Sequence, residues 1–221
     1  MSAGDTTPRY SSREELANCV SHGLGALLAI PGLALLTRLA SARGDAWHVV
    51  ACSVFGATLV FLYLTSTLYH AIRHPRAKSV LRFFDHAAIF LLIAGTYTPF
   101  TLINLRGPWG WSLFGVVWGI AILGIIFEVT IRRRWPGVSV ALYILMGWTV
   151  VVAIKPMLSA VAPGGLVLLL IGGLAYTTGV VFYIWRRLPY HHAVWHLFVL
   201  AGSILHFFAV LFHAIPSTRS A

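Results

Sequence analysis

The chain has 221 residues, of which 58% are hydrophobic and only 10% charged; 16 Lys and Arg against 6 Asp and Glu give a formal net charge of +10. A soluble domain carries about a quarter charged residues, so this composition excludes a water-soluble globular protein and points to lipid. No nucleic-acid motif accompanies the positive excess, and nucleic acid is not expected as a partner.

The first sixteen residues, MSAGDTTPRYSSREEL, are polar, with three acids and no apolar core, so no cleavable leader is expected. Residues 1–16 read as a short polar tail, 17–216 as a transmembrane domain and 217–221 as a short outer tail. A membrane-spanning helix needs about 20 mostly apolar residues. Seven runs meet or approach that length, at about Asn18–Leu39, Trp47–His70, Phe83–Leu105, Trp109–Ile131, Val138–Ile154, Gly164–Trp185 and His192–Ile215. The breaks SARGD, IRHPRAKSVLR, LRGP, RRRWPG, KPMLSAVAPGG and RRLPYH carry the charges, prolines and glycines. The fifth run is the shortest, with KPM read as its end. The runs lack two-residue alternation, and an open sheet edge cannot face lipid. The fold class is therefore all-α, a polytopic bundle of seven transmembrane helices. Cys19 and Cys52 lie inside apolar runs and read as small buried residues rather than a disulfide or metal pair.

Lys and Arg in the connections set the expected orientation. Arg9, Arg13, Arg73, Arg76, Lys78, Arg82, Arg132, Arg133, Arg134, Arg186 and Arg187 fall on one side; Arg38, Arg43, Arg106, Lys155 and Arg219 fall on the other. This asymmetry predicts a cytoplasmic amino terminus, an outer carboxyl terminus and a multi-pass protein of the cell membrane. Trp109, Trp111 and Trp185 stand where an aromatic belt is expected.

Ionisable residues inside spans are costly and are functional candidates by default. The second run ends TSTLYHAIRH, with Ser66 and His70 one turn apart on one helical face. The third begins RFFDHAAIFLL, with Asp85 and His86 just inside the same membrane surface. The seventh begins HHAVWH, with His192 and His196 again one turn apart. Three clusters distant in sequence thus share one depth. Three imidazoles with an open fourth position make a catalytic zinc arrangement, and His70, His192 and His196 are the candidate ligands for Zn2+. Ser66 is placed to hydrogen-bond a ligand or water, and Asp85 to act as general base. Singly, each residue has a structural explanation: an interhelical hydrogen bond for a histidine, a bond back to its own helix for Ser66, a helix-start position for Asp85. Their convergence carries the metal reading.

Other polar residues receive plainer expectations. Glu15 and Asn18 read as caps of the first helix, and His22 as lining a cavity or making a structural hydrogen bond. His86 and His191 are expected at headgroup level, and His213 near the outer surface. His206 lies about 21 Å deeper than His192 at 1.5 Å per residue, too far to share its ion. Glu128 is paired with Arg132 one turn on.

The stretches ELANCVSHGLG, STLYHAIRHPRAKSVLRFFDHAAIFLLIAGTYTP and HHAVWHLFVLAGSILHFFAV resemble the haemolysin III branch of the progestin and adipoQ receptor family, together with RRRWPGVSVALYILMGW and GGLAYTTGVVFY between them. The resemblance implies seven helices, a cytoplasmic amino terminus and a zinc ion on His70, His192 and His196, with Asp85 and Ser66 beside it. It also implies kinship with presumed membrane metal-dependent hydrolases such as alkaline ceramidases. The expected function is zinc-dependent hydrolysis of a lipid-like amide or ester, with membrane lipids as partners. A pore-forming cytolysin and a membrane-homeostasis regulator with structural zinc remain open as alternatives, as does the oligomeric state.

Overall fold

A computed structural model describes residues 10–130 and 135–217. Arg9, Arg132, Arg133, Arg134 and Arg219, which enter the orientation argument, lie outside the described residues, as do most of the expected polar tails. The described chain is helical and contains no strand. Its helices are α1 (Ser12–Arg43), α2 (Ala46–Ala71), α3 (Pro75–Pro99), α4 (Pro108–Thr130), α5 (Pro136–Gly147), α6 (Ile154–Ala160), α7 (Pro163–Ile184) and α8 (His191–His213). A π-helical turn, Phe100–Asn104, extends α3, and a 3-10 segment, Trp148–Ala153, joins α5 to α6. Seven stretches are long and apolar enough to cross a membrane, the fifth running Gly137–Ala160 through the 3-10 segment. The protein is a multi-pass membrane protein.

Helix ends follow local chemistry. Ser11 Oγ accepts from Glu14 N at 3.2 Å while Ser11 N donates to Glu14 Oε2 at 2.9 Å, a capping box that starts α1. Glu15 and Asn18 are therefore not the caps, a correction explained by their inward-facing partners described below. Asp45 starts α2, its Oδ1 accepting from Trp47 N at 2.9 Å and His48 N at 3.2 Å. Arg106, after α3, donates to Asp45 Oδ2 at 3.1 Å and ties two connections together at one end of the bundle.

Neighbours in sequence are mostly neighbours in space. α1 packs on α2, α2 on α3, α3 on α4 and α7 on α8, while α8 returns against α1. At Gly95 a side chain would collide with Thr58 Oγ1 of α2, so α3 and α2 meet at a distance only glycine allows there. Leu27, Leu123, Leu145 and Val152 remain exposed around the bundle, as lipid-facing residues should.

The fifth span departs from expectation, since it continues past Ile154 through Lys155 and Pro156 to Ala160. Pro156 falls in the first turn of α6, where its missing N–H costs no helix bond, and exposed Lys155 can carry its ammonium outward along its stem. Tyr97 of α3 meets the break that precedes it. Its hydroxyl donates to Gly147 O at 2.6 Å and accepts from Val150 N at 2.9 Å. In hydrocarbon each unsatisfied backbone group costs several kcal/mol, so this phenol lets the span change helix type. Thr96, Thr98 and Thr101 bond back to carbonyls of the same segment, at 2.8 Å to Leu92 O, 2.8 Å to Ala94 O and 3.0 Å to Tyr97 O.

Two substitutions check these assignments. Tyr97→Phe leaves Val150 N and Gly147 O without the hydroxyl and is expected to destabilise the bundle by about 1–3 kcal/mol, read as a lower unfolding midpoint in detergent. Bonding to the His48 side chain holds the Asp45 carboxyl down at about 2. Its contribution is complete above the ordinary carboxylate range and is lost as pH falls through about 2. Asp45→Ala should cost about 1 kcal/mol through the lost cap and flatten the acid limb of the stability profile.

Candidate metal centre

The end of the bundle that carries Glu15, His70, Lys78 and the start of α8 gathers the polar residues of distant segments. His70 closes α2, while His192 and His196 open α8. One ring nitrogen from each lies within 4.8 Å of the others, and all three residues are buried. Ring centroids stand 5.2 Å apart for His70 and His192, 5.2 Å for His70 and His196, and 4.5 Å for His192 and His196. His70 Nε2 and His192 Nδ1 are buried with no hydrogen-bond partner among the described residues. A buried polar atom in lipid without a partner is costly, so these orphaned nitrogens fit a bound cation. Zinc–nitrogen bonds of about 2.0–2.1 Å in tetrahedral geometry bring ligand atoms to roughly 3.4 Å apart, a small side-chain closure from this arrangement. The cluster can hold a metal ion.

The opposite ring nitrogens are engaged by α1. His70 Nδ1–H donates to Glu15 Oε2 at 2.6 Å, and Lys78 Nζ of α3 donates to Glu15 Oε1 at 2.6 Å. His196 Nδ1–H is shared between Ser21 Oγ at 3.0 Å and Asn18 O at 3.2 Å. Glu15, Asn18 and His22 stand at i, i+3 and i+7, one face of α1; that stripe of polar residues in an apolar helix was the available sequence signal. Capping chemistry explains Glu14 instead. Its Oε1 also accepts from Tyr190 N at 3.2 Å, docking the start of α8 on the start of α1. Tyr190 itself has φ 58°, a left-handed turn from which α8 begins.

Tyr10, just before α1, was not anticipated. Its ring stacks on His192 at 5.2 Å and lies 5.8 Å from His191 and 6.2 Å from His70. Burial, with Tyr183 and Tyr69 nearby, pushes its phenol above the ordinary range, so the hydroxyl stays protonated and the ring covers the histidines as a neutral lid. His191 is buried rather than at headgroup level; its Nδ1 donates to Phe182 O at 3.1 Å.

Toward the bundle interior the site meets a cavity of about 370 Å³. Ser66, Asp85, His86, His192, His196 and His22 are among the residues that line it, as are Leu105, Met157, Leu166 and His206. Ser66 does not bond back to its helix. Thr65 and Thr67 do, at 2.8 Å to Phe61 O and 2.6 Å to Tyr63 O, whereas buried Ser66 Oγ finds no partner among the described residues. His22 stacks on His196 with centroids 3.5 Å apart, and both its nitrogens are likewise unpartnered. It lines the cavity, the first of the two roles expected for it.

The remaining candidates stand apart from the cluster. His206 bonds Leu169 O through Nε2 at 3.1 Å. His213 packs beside Gly164 and Gly165 at the start of α7. Glu128 is buried and accepts from Ser139 Oγ of α5, while its expected partner Arg132 lies outside the described residues. Cys19 and Cys52 are free thiols.

Comparison with known proteins agrees with this architecture. Residues 10–207 match the family described as Haemolysin-III related. The chain is 50% identical over 205 residues to Hemolysin-3 of Bacillus cereus, covering 93% of this chain and 94% of that protein. It is 44% identical over 206 residues to a Hemolysin-3 homolog of Bacillus subtilis (strain 168), covering 93% and 97%. To the human Monocyte to macrophage differentiation factor it is 31% identical over 205 residues, covering 89% and 83%. With its seven apolar spans and its SxxxH and HxxxH motifs, the chain belongs to the haemolysin III family, the branch of the progestin and adipoQ receptor proteins that its sequence resembles.

Proposed function

We propose that this protein is a zinc-dependent hydrolase of a lipid-like amide or ester, with its metal on His70, His192 and His196. One observation carries the reading: two members of a buried three-histidine cluster, His192 and His196, line a largely apolar cavity large enough for part of an acyl chain. Exposed Val151, Ile154, Leu158 and Leu170 are part of the cavity wall, which supports entry of a ligand from the bilayer through the fifth and sixth spans. Such a ligand would lie with its tail along the apolar wall and its carbonyl toward the histidines.

Zinc, when bound, supplies a Lewis acid for a carbonyl and acidifies water to a pKa of about 7. Asp85 takes the proton released as water attacks the carbonyl carbon and returns it to the departing amine or alkoxide. Ser66 donates its otherwise unpartnered hydroxyl to an oxygen of the ligand. Tyr10 restricts water at the aqueous end. The arginine and lysine asymmetry supports placing this end at the cytoplasmic face, with the amino terminus inside.

A structural role for the metal is the second reading, favoured by the way the three ligands join α2 to α8. Pore formation, the activity the bacterial relatives' names evoke, would act through a continuous polar path; the cavity's mostly apolar wall favours a lipid ligand instead.

Metal content and turnover separate these readings. Protein purified in detergent should carry about one zinc per chain; His192→Ala should lose it, and Asp85→Asn should keep it. With a panel of N-acyl lipids, Asp85→Asn should turn over roughly 10²–10⁴ times more slowly than the parent. Zinc retained by His192→Ala contradicts the ligand assignment. Loaded protein that hydrolyses no lipid amide or ester, yet unfolds at lower temperature when stripped, supports a structural ion. Liposome leakage that survives loss of all three histidines favours a pore.

A further inference from the structure

We infer that α1, which supplies no ligand, is the positioning helix of the metal centre, with Glu15 and the Asn18–Ser21 turn fixing the orientation of two of the three histidines. The inference rests on reading those histidines as metal ligands and assigns roles to residues outside that set.

Hydrogen-bond polarity carries the argument. The Glu15 carboxylate already accepts Lys78 Nζ at 2.6 Å, and at 2.6 Å from His70 Nδ1 it requires the proton on that nitrogen. A His70 ring that ligates a metal through its other nitrogen then bears its lone pair on Nε2, the atom buried without a partner among the described residues. Facing His196 of α8, Ser21 of α1 donates its hydroxyl proton to Asn18 O at 2.9 Å. The proton shared by His196 Nδ1 with Ser21 Oγ and Asn18 O must therefore come from the imidazole, which again leaves Nε2 as the lone-pair atom. Two rings on different helices are thus held in the same tautomer by one face of a third helix. The partner of a ligating imidazole's other nitrogen fixes ring orientation and tautomer, and its loss typically costs 10–100-fold in metal affinity.

Lys78 has a part in this as well. The Glu15 carboxyl is reached from the aqueous end and would otherwise turn toward water. Lys78, near the start of α3 and 4.9 Å from the Tyr69 ring centroid, holds it against His70. The chain Lys78–Glu15–His70 therefore crosses α3, α1 and α2.

The test is zinc affinity by competition with a chromophoric chelator, together with the visible spectrum of cobalt(II)-loaded protein in detergent. Glu15→Ala should bind zinc roughly 10–100-fold more weakly than the parent and show an altered cobalt spectrum. Glu15→Gln should recover part of that loss, because its amide oxygen still accepts from His70 Nδ1–H. Lys78→Met should fall between Gln and parent, and Ser21→Ala should lose less than Glu15→Ala because Asn18 O remains. Should Glu15→Ala fail to fold, Glu15→Gln and Lys78→Met still decide the matter: both must bind more weakly than the parent. Parent affinity and an unchanged cobalt spectrum in folded Glu15 and Lys78 variants would overturn the inference while leaving the ligand set standing. A parent protein that takes up neither metal would overturn both. Failure to find a lipid substrate affects neither reading, since no arm measures turnover.

Discussion

Hydrocarbon supplies no hydrogen bonds, so every polar group carried into the bilayer must be answered by another part of the chain. Most of this bundle obeys that constraint locally. Threonine hydroxyls fold back on their own helices, and Tyr97 crosses from α3 to serve both a donor and an acceptor freed where the fifth span changes helix type. Several of the exceptions gather around the three histidines. Ser66 Oγ, His70 Nε2, His192 Nδ1 and both nitrogens of His22 are buried and unanswered, and they belong to the cluster at one end of the bundle or to the cavity beside it. Asn104 Oδ1 and His206 Nδ1 are buried without a hydrogen-bond partner among the described residues as well, away from the three histidines; the group beside those histidines is the one that a cation and a polar ligand head would complete.

The same constraint explains the division of labour among helices. α2 and α8 carry the metal-competent nitrogens, whereas α1 faces them with acceptors and so decides which nitrogen of His70 and His196 is left free. α5 and α6, interrupted by the 3-10 segment, share the cavity wall with α7. Rigid, well-packed helices thus hold the polar cluster, and the less buried spans of the fold border the apolar space. Tyr10 and the Glu14 contact to the α8 start lie at the aqueous end, so the histidines are covered on the water side, while His192 and His196 line the cavity.

Much of this was legible in the residues. Long apolar runs fix spanning helices because lipid leaves no other choice for the backbone, and their ends fall within a few residues of Pro, Gly and charged breaks. Four-residue spacing of His192 and His196, and of Ser66 and His70, reports a shared face because the helix period is fixed. What sequence spacing does not report is rotation of one helix against another. Glu15 therefore reads as a cap of the first helix, and only the packing of α1 on α2 shows it bonded to His70 instead. Lys155 and Pro156 read as a terminus because a charge and a proline usually stop a span, whereas here proline sits in a first turn and lysine faces outward. Tyr10, before the first helix, belongs to no periodic pattern, and its place over His192 follows from tertiary docking alone.

X-ray absorption at the zinc edge tests the central claim most directly, because it reads the ligand atoms themselves. Three nitrogen scatterers with imidazole outer-shell features at about 2.0–2.1 Å, reduced in number in His70→Ala, would bear out a metal held between α2 and α8. A shell of sulfur, or of oxygen alone, would contradict it.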